Sequence, residues 1–522
     1  MQIKIKGKII CTYSIKRLVC AMCFFLFCVI EQRLKSDAGM EMFRDLTGVG
    51  MAIIIMTHYR LEDFRKWKIP YLIWTAIWII GTPIAFHYSS VVATLADWIV
   101  MALDVILFGY IVIHTVISVV IEEKRPELNI KYSAVWFLMM VLMILSRSTY
   151  IWPFCYLIMF GCFYLTDFSK EEQNELFQGM LDGIILGFFA IQGCCFIYRP
   201  YDSVRYKGAF TNSNLNGLFY LEVLTAVFTK IIYVTRKNCN KWIKLYYWAG
   251  AGLLLSLEVM TIGRINLLAA AVFSLVFCAF LKKHQIAKKA WKNMLALMLC
   301  VLITFPITFS AVRYLPTLFH HPVWFWGEWN ESRVHPGDPW NSEKYIEIDE
   351  FLDAAFGRML DSIQNVMEHS PLLMIVNAAG TDPADMEPVL DDEHETDSYL
   401  IRTNIYKYYF QHLNMRGYPY EEQGFQLTKT YWVPHAHNIY LQFGTDFGVP
   451  VMILYAVLIF WGAILLGKRY KQKGSETDAG YWMFLVIPAI YGLLEKSWGT
   501  GSLSILTMFI AWREVICCEK KS

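Results

Sequence analysis

Three short polar clusters interrupt an apolar chain, and each holds side chains suited to acting on a negatively charged substrate. The first runs Arg199-Pro-Tyr-Asp-Ser-Val-Arg205-Tyr-Lys207-Gly-Ala-Phe-Thr-Asn212-Ser-Asn214 and sets three cations beside a run of asparagines that continues to Asn216. The second is Arg264, alone at the start of an apolar stretch in Thr261-Ile-Gly-Arg264. The third, Pro434-His435-Ala-His437-Asn438, opens another apolar stretch. A guanidinium suits phosphate because its planar fork engages two oxygens at once and keeps its charge. A histidine near neutral pH can take a proton from an attacking hydroxyl. Each residue type also has a structural reading. Arginine can anchor a helix end by snorkelling to the headgroup layer, asparagine can cap a helix, and an interfacial histidine can be a satisfied polar group. For the asparagines both roles hold together, since a capped helix start still turns its positive end toward an anion.

The segments between these clusters have the character of membrane spans. Of 522 residues 56% are hydrophobic and 18% charged, whereas a soluble domain has about 45–50% and about 25%. About fourteen apolar segments are legible, among them 69–87, 264–281, 293–312 and 438–466. Their lengths cluster near the roughly 20 residues that a helix needs to cross about 30 Å of hydrocarbon. With the N-terminus in the cytoplasm, the short inner segments hold roughly 28 Lys and Arg against roughly 9 in the outer ones, which fixes the orientation. The inner clusters include Arg236/Lys237/Lys241/Lys244, Lys282/Lys283/Lys288/Lys289/Lys292 and Lys468/Arg469/Lys471/Lys473. Arg205, Arg264 and His437 then fall on the outer side. The expected fold class is an all-α polytopic membrane protein with about 12–14 transmembrane helices and one large, mostly helical extracytoplasmic segment. Both termini are expected in the cytoplasm and the protein in the cell membrane. Lys4, Lys6, Lys8, Lys16 and Arg17 precede a first apolar run with no small-x-small cleavage site after Ile30, so this reads as an uncleaved first helix.

Three blocks follow from this pattern: a transmembrane bundle at 1–312, an extracytoplasmic cap at 313–436, and C-terminal transmembrane helices at 437–522. A structureless loop as long as the middle block is improbable in a compact protein. Ile348, Phe351, Leu352, Ala355, Phe356, Met359, Leu360, Ile363, Val366 and Met367 repeat with helical spacing and predict an amphipathic helix that Pro371 ends. None of the thirteen cysteines lies between Arg313 and Pro434, so the cap has no disulfide framework. The run Asp382–Asp397 is acidic, as a solvated face would be. The net charge of +2 gives no reason to expect a nucleic-acid partner. No nucleotide-binding glycine loop and no convincing metal-ligand spacing is visible, so no metal and no cofactor is expected.

In order and spacing the three clusters resemble the O-antigen ligase and O-unit polymerase superfamily of membrane glycosyltransferases. That family carries Gly-x-Phe-x-Asn-Pro-Asn after an outer arginine, then a Ser-Arg step, a large outer loop, and His-Asn with a glycine ten residues on. Here the first is Arg205 with Gly208-Ala-Phe210-Thr-Asn212-Ser-Asn214, Ser213 replacing the proline. The second is Gly263-Arg264, glycine replacing serine, and the third is His437-Asn438 followed by Gly448. Gly357-Arg358 ahead of Ser370-Pro371-Leu372 is similar to the step that carries a second family arginine, with Arg313 and Arg333 as alternatives. The resemblance spans about 199 to 466.

This resemblance implies a glycan donor linked to undecaprenyl diphosphate, a glycan acceptor, and the surrounding membrane lipids as partners. It implies His437, Arg264 and Arg358 as catalytic residues and Arg205, Asn212, Asn214 and Asn438 as substrate-binding ones. The arginines would hold the diphosphate and stabilise its departure, while His437 would deprotonate an acceptor hydroxyl. A transporter or lipid-linked oligosaccharide flippase is the alternative, because Asp97, Asp104, Asp182, Glu222 and Glu258 lie in or at the ends of apolar spans, where acidic groups usually signal function. They can also pair with arginines or hold helices together.

Overall fold

The computed structural model describes residues 14–31, 37–59, 61–88, 95–198, 201, 205–210, 212–284, 289–319, 348–357, 398–419, 424–426, 432–433, 435–493 and 503–517, with a strand pair Gln2–Ile5 and Lys8–Thr12. Over the described residues, each apolar segment read from the sequence is mostly helical. The helices are α1 (Ile15–Glu31), α2 (Asp37–Thr57), α3 (Leu61–Lys66), α4 (Lys68–Tyr88), α5 (Leu95–Val116), α6 (Ile130–Ile144), α7 (Trp152–Leu165), α8 (Lys170–Tyr198) and α9 (Ser213–Arg236). There follow α10 (Lys241–Met260), α11 (Arg264–Leu281), α12 (Ala290–Leu318), α13 (348–357), α14 (Ser398–Gln411), α15 (Ile439–Asp446), α16 (Val449–Lys473), α17 (Glu476–Tyr491) and α18 (Leu503–Ile516). Among the described residues, seven helices are long and apolar enough to cross a membrane, and three shorter apolar helices accompany them.

One expectation is corrected. The single span at 438–466 is two helices, α15 and α16, broken at Phe447 and Gly448. Gly448 has φ +101°, which a side chain rarely adopts, and an added Cβ would lie 2.4 Å from the Met415 carbonyl. Pro450 then occupies the first turn of α16, where its missing N–H costs nothing.

The chain forms two compact units, each discontinuous in sequence: Met1–Ala134, Ile151–Gly187 and Gly499–Ser522 in one, Val135–Tyr150 and Phe188–Trp498 in the other. In the first unit, Gly179, Gly183 and Gly187 form a small-residue stripe on α8 against α1. An added Cβ at Gly183 would lie 2.4 Å from the Ala21 carbonyl, so the backbones approach as closely as glycine permits. Beside the stripe, Asp182 is paired with Arg17, whose Nε lies 2.9 Å from Oδ2. Ser169 and Glu172 make a capping box at the start of α8, with Ser169 N donating to Glu172 Oε2 at 3.0 Å and Glu172 N to Ser169 Oγ at 3.2 Å. Arg513, 2% exposed, donates to Phe163 O at 3.3 Å and Thr166 O at 2.8 Å, placing a cation at the C-terminus of α7.

In the second unit α9 is buried along almost its whole length and packs on α10, α11 and α17. One end of this bundle gathers the basic clusters of α9, α11 and α16. Arg236 pairs with Glu476, Arg469 Nη2 lies 2.6 Å from Asp478 Oδ1, and Lys283 Nζ donates to Tyr470 O at 2.8 Å and Lys471 O at 2.6 Å. The amphipathic helix expected at 348–367 is described over 348–357, where Phe351 is buried against Phe305 and Phe309 at ring distances of 5.4 and 5.9 Å. Ile405 and Tyr409 of α14 form a small core with Val433, Ala436 and Leu441.

Candidate functional site at one end of the second unit

Residues 201 and 205–210 are strapped across the end of α10. Tyr201 donates its hydroxyl and Tyr206 its backbone N–H to Met260 O, at 3.1 and 2.9 Å. That strap brings Arg205 over the hairpin between α10 and α11, where its Nε donates to Thr261 O at 3.1 Å and its Nη2 to Asn214 Oδ1 at 2.5 Å. Asn212 has extended backbone and caps α9, its Oδ1 accepting from Asn214 N at 2.8 Å. Arg205, Asn212 and Asn214 are therefore one hydrogen-bonded group around the start of α9.

The α10–α11 hairpin turns within Thr261, Ile262 and Gly263. Ile262 has φ +46°, unusual for a β-branched residue and a sign of local strain. The turn is held by Asn266, which is 0% exposed and donates Nδ2 to Thr261 Oγ1 at 2.9 Å and to Ser213 O at 3.1 Å. Gly217 makes room for it, since an added Cβ there would lie 2.0 Å from Asn266 Nδ2. Asn266 thus latches the hairpin to α9. The reading of the sequence missed it; the available signal was an amide one turn into an apolar helix.

Arg264 is the first residue of α11, exposed, and without a hydrogen bond to any described residue. A cation at a helix N-terminus opposes the helix dipole, which costs about 0.3–1 kcal/mol. Among the described residues its side chain therefore makes no bond, at a position that mildly penalises its charge.

The histidine cluster stands at the start of α15. Asn438 caps this helix, Oδ1 accepting from Tyr440 N at 2.9 Å and Leu441 N at 3.0 Å, while its Nδ2 donates to Leu493 O at 2.9 Å. His437, just before the cap, has φ +46°. Its carbonyl accepts from Tyr406 at 3.4 Å, and its ring lies 4.2 Å from that of His435, edge to face. Ile439 N donates to Gly492 O at 2.7 Å.

The two groups meet at the end of α17. Tyr491 donates its hydroxyl to Asn214 O, and two residues on Leu493 O receives Asn438. The fold thus brings Arg205, Asn212, Asn214, Arg264, His437 and Asn438 to one end of the second unit, away from the end holding Lys283, Arg236 and Arg469. Arg358 lies outside the described residues. Beneath the group, Tyr220 donates to Gln192 Oε1 at 2.9 Å and Gln192 to the Tyr206 hydroxyl at 3.1 Å, a buried network that sequence reasoning did not find. Among the described residues no set of three His, Cys, Asp or Glu side chains is arranged to hold a metal ion. Chemically, the arrangement offers guanidinium for an anion and imidazole for a proton. No protein-family model, curated protein or solved structure matches this chain.

Proposed function

We propose that the chain is a membrane glycosyltransferase that moves a glycan from a polyprenyl diphosphate to a sugar hydroxyl at the extracytoplasmic face. In this reading twelve to fourteen helices span the membrane, residues 313–436 lie outside, and both termini are cytoplasmic. The observation that carries it is the convergence of Arg205, Arg264 and His437 on the end of the bundle opposite the Lys283, Arg236 and Arg469 cluster. Basic side chains gather on the cytoplasmic side of membrane proteins, so the candidate group falls outside, where a lipid-linked donor and a water-borne acceptor meet.

The chemistry follows from the side chains. Arg264, with no bond to the fold among the described residues, and Arg205 hold the diphosphate as a fixed anion clamp. His437 takes the proton of the acceptor hydroxyl as its oxygen forms a bond to the anomeric carbon from the face opposite the diphosphate. The bond between that carbon and the diphosphate oxygen breaks, the configuration inverts, and the lipid diphosphate leaves without needing a proton. The donor contributes its diphosphate charge, which the cations stabilise as it develops.

One observation favours the second reading, transport or lipid flipping. Glu258 is 1% exposed in α10 and neither carboxyl oxygen has a hydrogen bond among the described residues. A carboxyl in that state suits a proton-coupled step. Reconstitution in liposomes with an undecaprenyl-diphosphate-linked oligosaccharide separates the two. New glycosidic product that depends on His437 supports the transferase; movement of the lipid across the bilayer without new product overturns it.

A further inference from the structure

A cavity of about 820 Å3 lies within the first unit, walled by the starts of α1 and α8 and the ends of α2, α5 and α7. That is the volume of a small-molecule site. Its wall is acidic, with eight Asp and Glu against three lysines. Two of those lysines are already neutralised: Lys16 Nζ lies 2.5 Å from Glu172 Oε1 and Lys124 Nζ 2.9 Å from Glu122 Oε2. An anion entering the cavity meets net negative charge, whereas a cation meets carboxylates.

Two acceptors on this wall lack a donor. His58 is 8% exposed, and neither of its ring nitrogens has a hydrogen bond among the described residues. Its nearest charged neighbour, Glu172 Oε1, stands 3.7 Å from Nδ1 and already holds Lys16, a separation beyond hydrogen-bond reach. Glu175, half-buried on the same wall, has neither an ion pair nor a hydrogen bond among the described residues. Burying a polar group without a partner is costly, so His58 marks a point at which a ligand atom supplies the donor. The ring of Phe168, 4.5 Å from that of His58, offers an apolar flank for a carbon chain. The ring beside His58 and the carboxylates on the same wall suit a positive charge carried on an organic frame.

We propose that this cavity binds a small organic cation, a molecule with one or more alkylammonium groups, donating one N–H to His58 and another to Glu175. The test uses the full-length protein in detergent, titrated with spermidine and, at matched ionic strength, with inorganic phosphate. Wild type binds spermidine saturably and does not bind phosphate. Glu175→Gln removes the charge and weakens binding on the order of tenfold or more. His58→Phe does likewise, while His58→Gln keeps an acceptor and most of the affinity. Glu62→Gln alters an exposed carboxylate off the cavity wall and leaves affinity unchanged, which separates the cavity from general attraction to acidic protein. Absence of saturable spermidine binding, saturable phosphate binding in its place, or equal affinity in wild type and Glu175→Gln would each overturn the proposal.

Discussion

The hydroxyl of Tyr491 donates to the backbone carbonyl of Asn214, 277 positions earlier in the chain. This bond joins the last residue of α17 to the first turn of α9. Because Leu493 also holds Asn438, one helix end supports both the arginine group and the histidine. Tyr491 is 1% exposed, so Tyr491→Phe keeps the packed ring and removes the hydroxyl that makes this bond. The expected loss is about 1 kcal/mol of stability, seen as a lower Tm in detergent, with a larger fall in glycan transfer than that loss explains. Unchanged transfer would show that the two groups do not depend on this shared support.

Arg264 and Arg205 should respond differently to substitution. Arg264 makes no bond among the described residues, so Arg264→Lys and Arg264→Ala leave the stability within about 0.5 kcal/mol of wild type, with little change in Tm. On the proposed clamp role both should nonetheless cut transfer by roughly 30- to 1000-fold, since lysine keeps charge but loses the fork. Arg205 ties Thr261 to Asn214, so Arg205→Lys lowers both Tm and activity. Wild-type yield from Arg264→Lys, measured at equal membrane expression, would favour a headgroup anchor.

His437 combines an imidazole ring with a left-handed backbone. On the proposed function His437→Ala removes the base and should cut transfer by about 10²–10⁴-fold, with His435→Ala much milder. His437→Gly loses the ring equally but accepts φ +46° without strain, so it should be more stable than His437→Ala by about 1 kcal/mol. Comparing Tm and turnover across the three variants separates the backbone role from the chemical one. Near-wild-type turnover in His437→Gly would remove this residue as the base.

Acid should weaken the first unit through Glu122. Hydrogen bonds from Lys66 and Lys124 hold its carboxyl down from an ordinary 4.5 to about 2. A carboxylate depressed on folding stabilises above its unfolded pKa, and that contribution fades as pH falls through the folded value. Glu122 should therefore contribute its full, pH-independent share to the Tm above pH 4.5 and lose that share between 4.5 and about 2. Glu122→Gln should flatten that part of the profile. Identical acid profiles for variant and wild type would show that Glu122 is not the group involved.

Much of the architecture was legible in the sequence, because a helix long enough to span a membrane needs only a local run of apolar residues. The same holds for Asn212 and Asn438, whose capping bonds reach two or three residues along the chain. The break at Gly448 was not legible, since it depends on the Met415 backbone lying where a side chain would sit. Nor was the latch by Asn266, whose partner Ser213 lies on a different helix 53 positions away. Asp182 looked functional from its place in an apolar segment, yet tertiary packing sets Arg17 beside it. The sequence by itself determined which segments are apolar, which ends are basic, and which side chains have the chemistry for an anion and a proton. Only the tertiary structure decided that, among the described residues, Arg205 is bonded into the fold while Arg264 is not, and that the end of α17 holds both Asn214 and Asn438. Those outcomes rest on hydrogen bonds between residues far apart in the chain, whose partners no local pattern specifies.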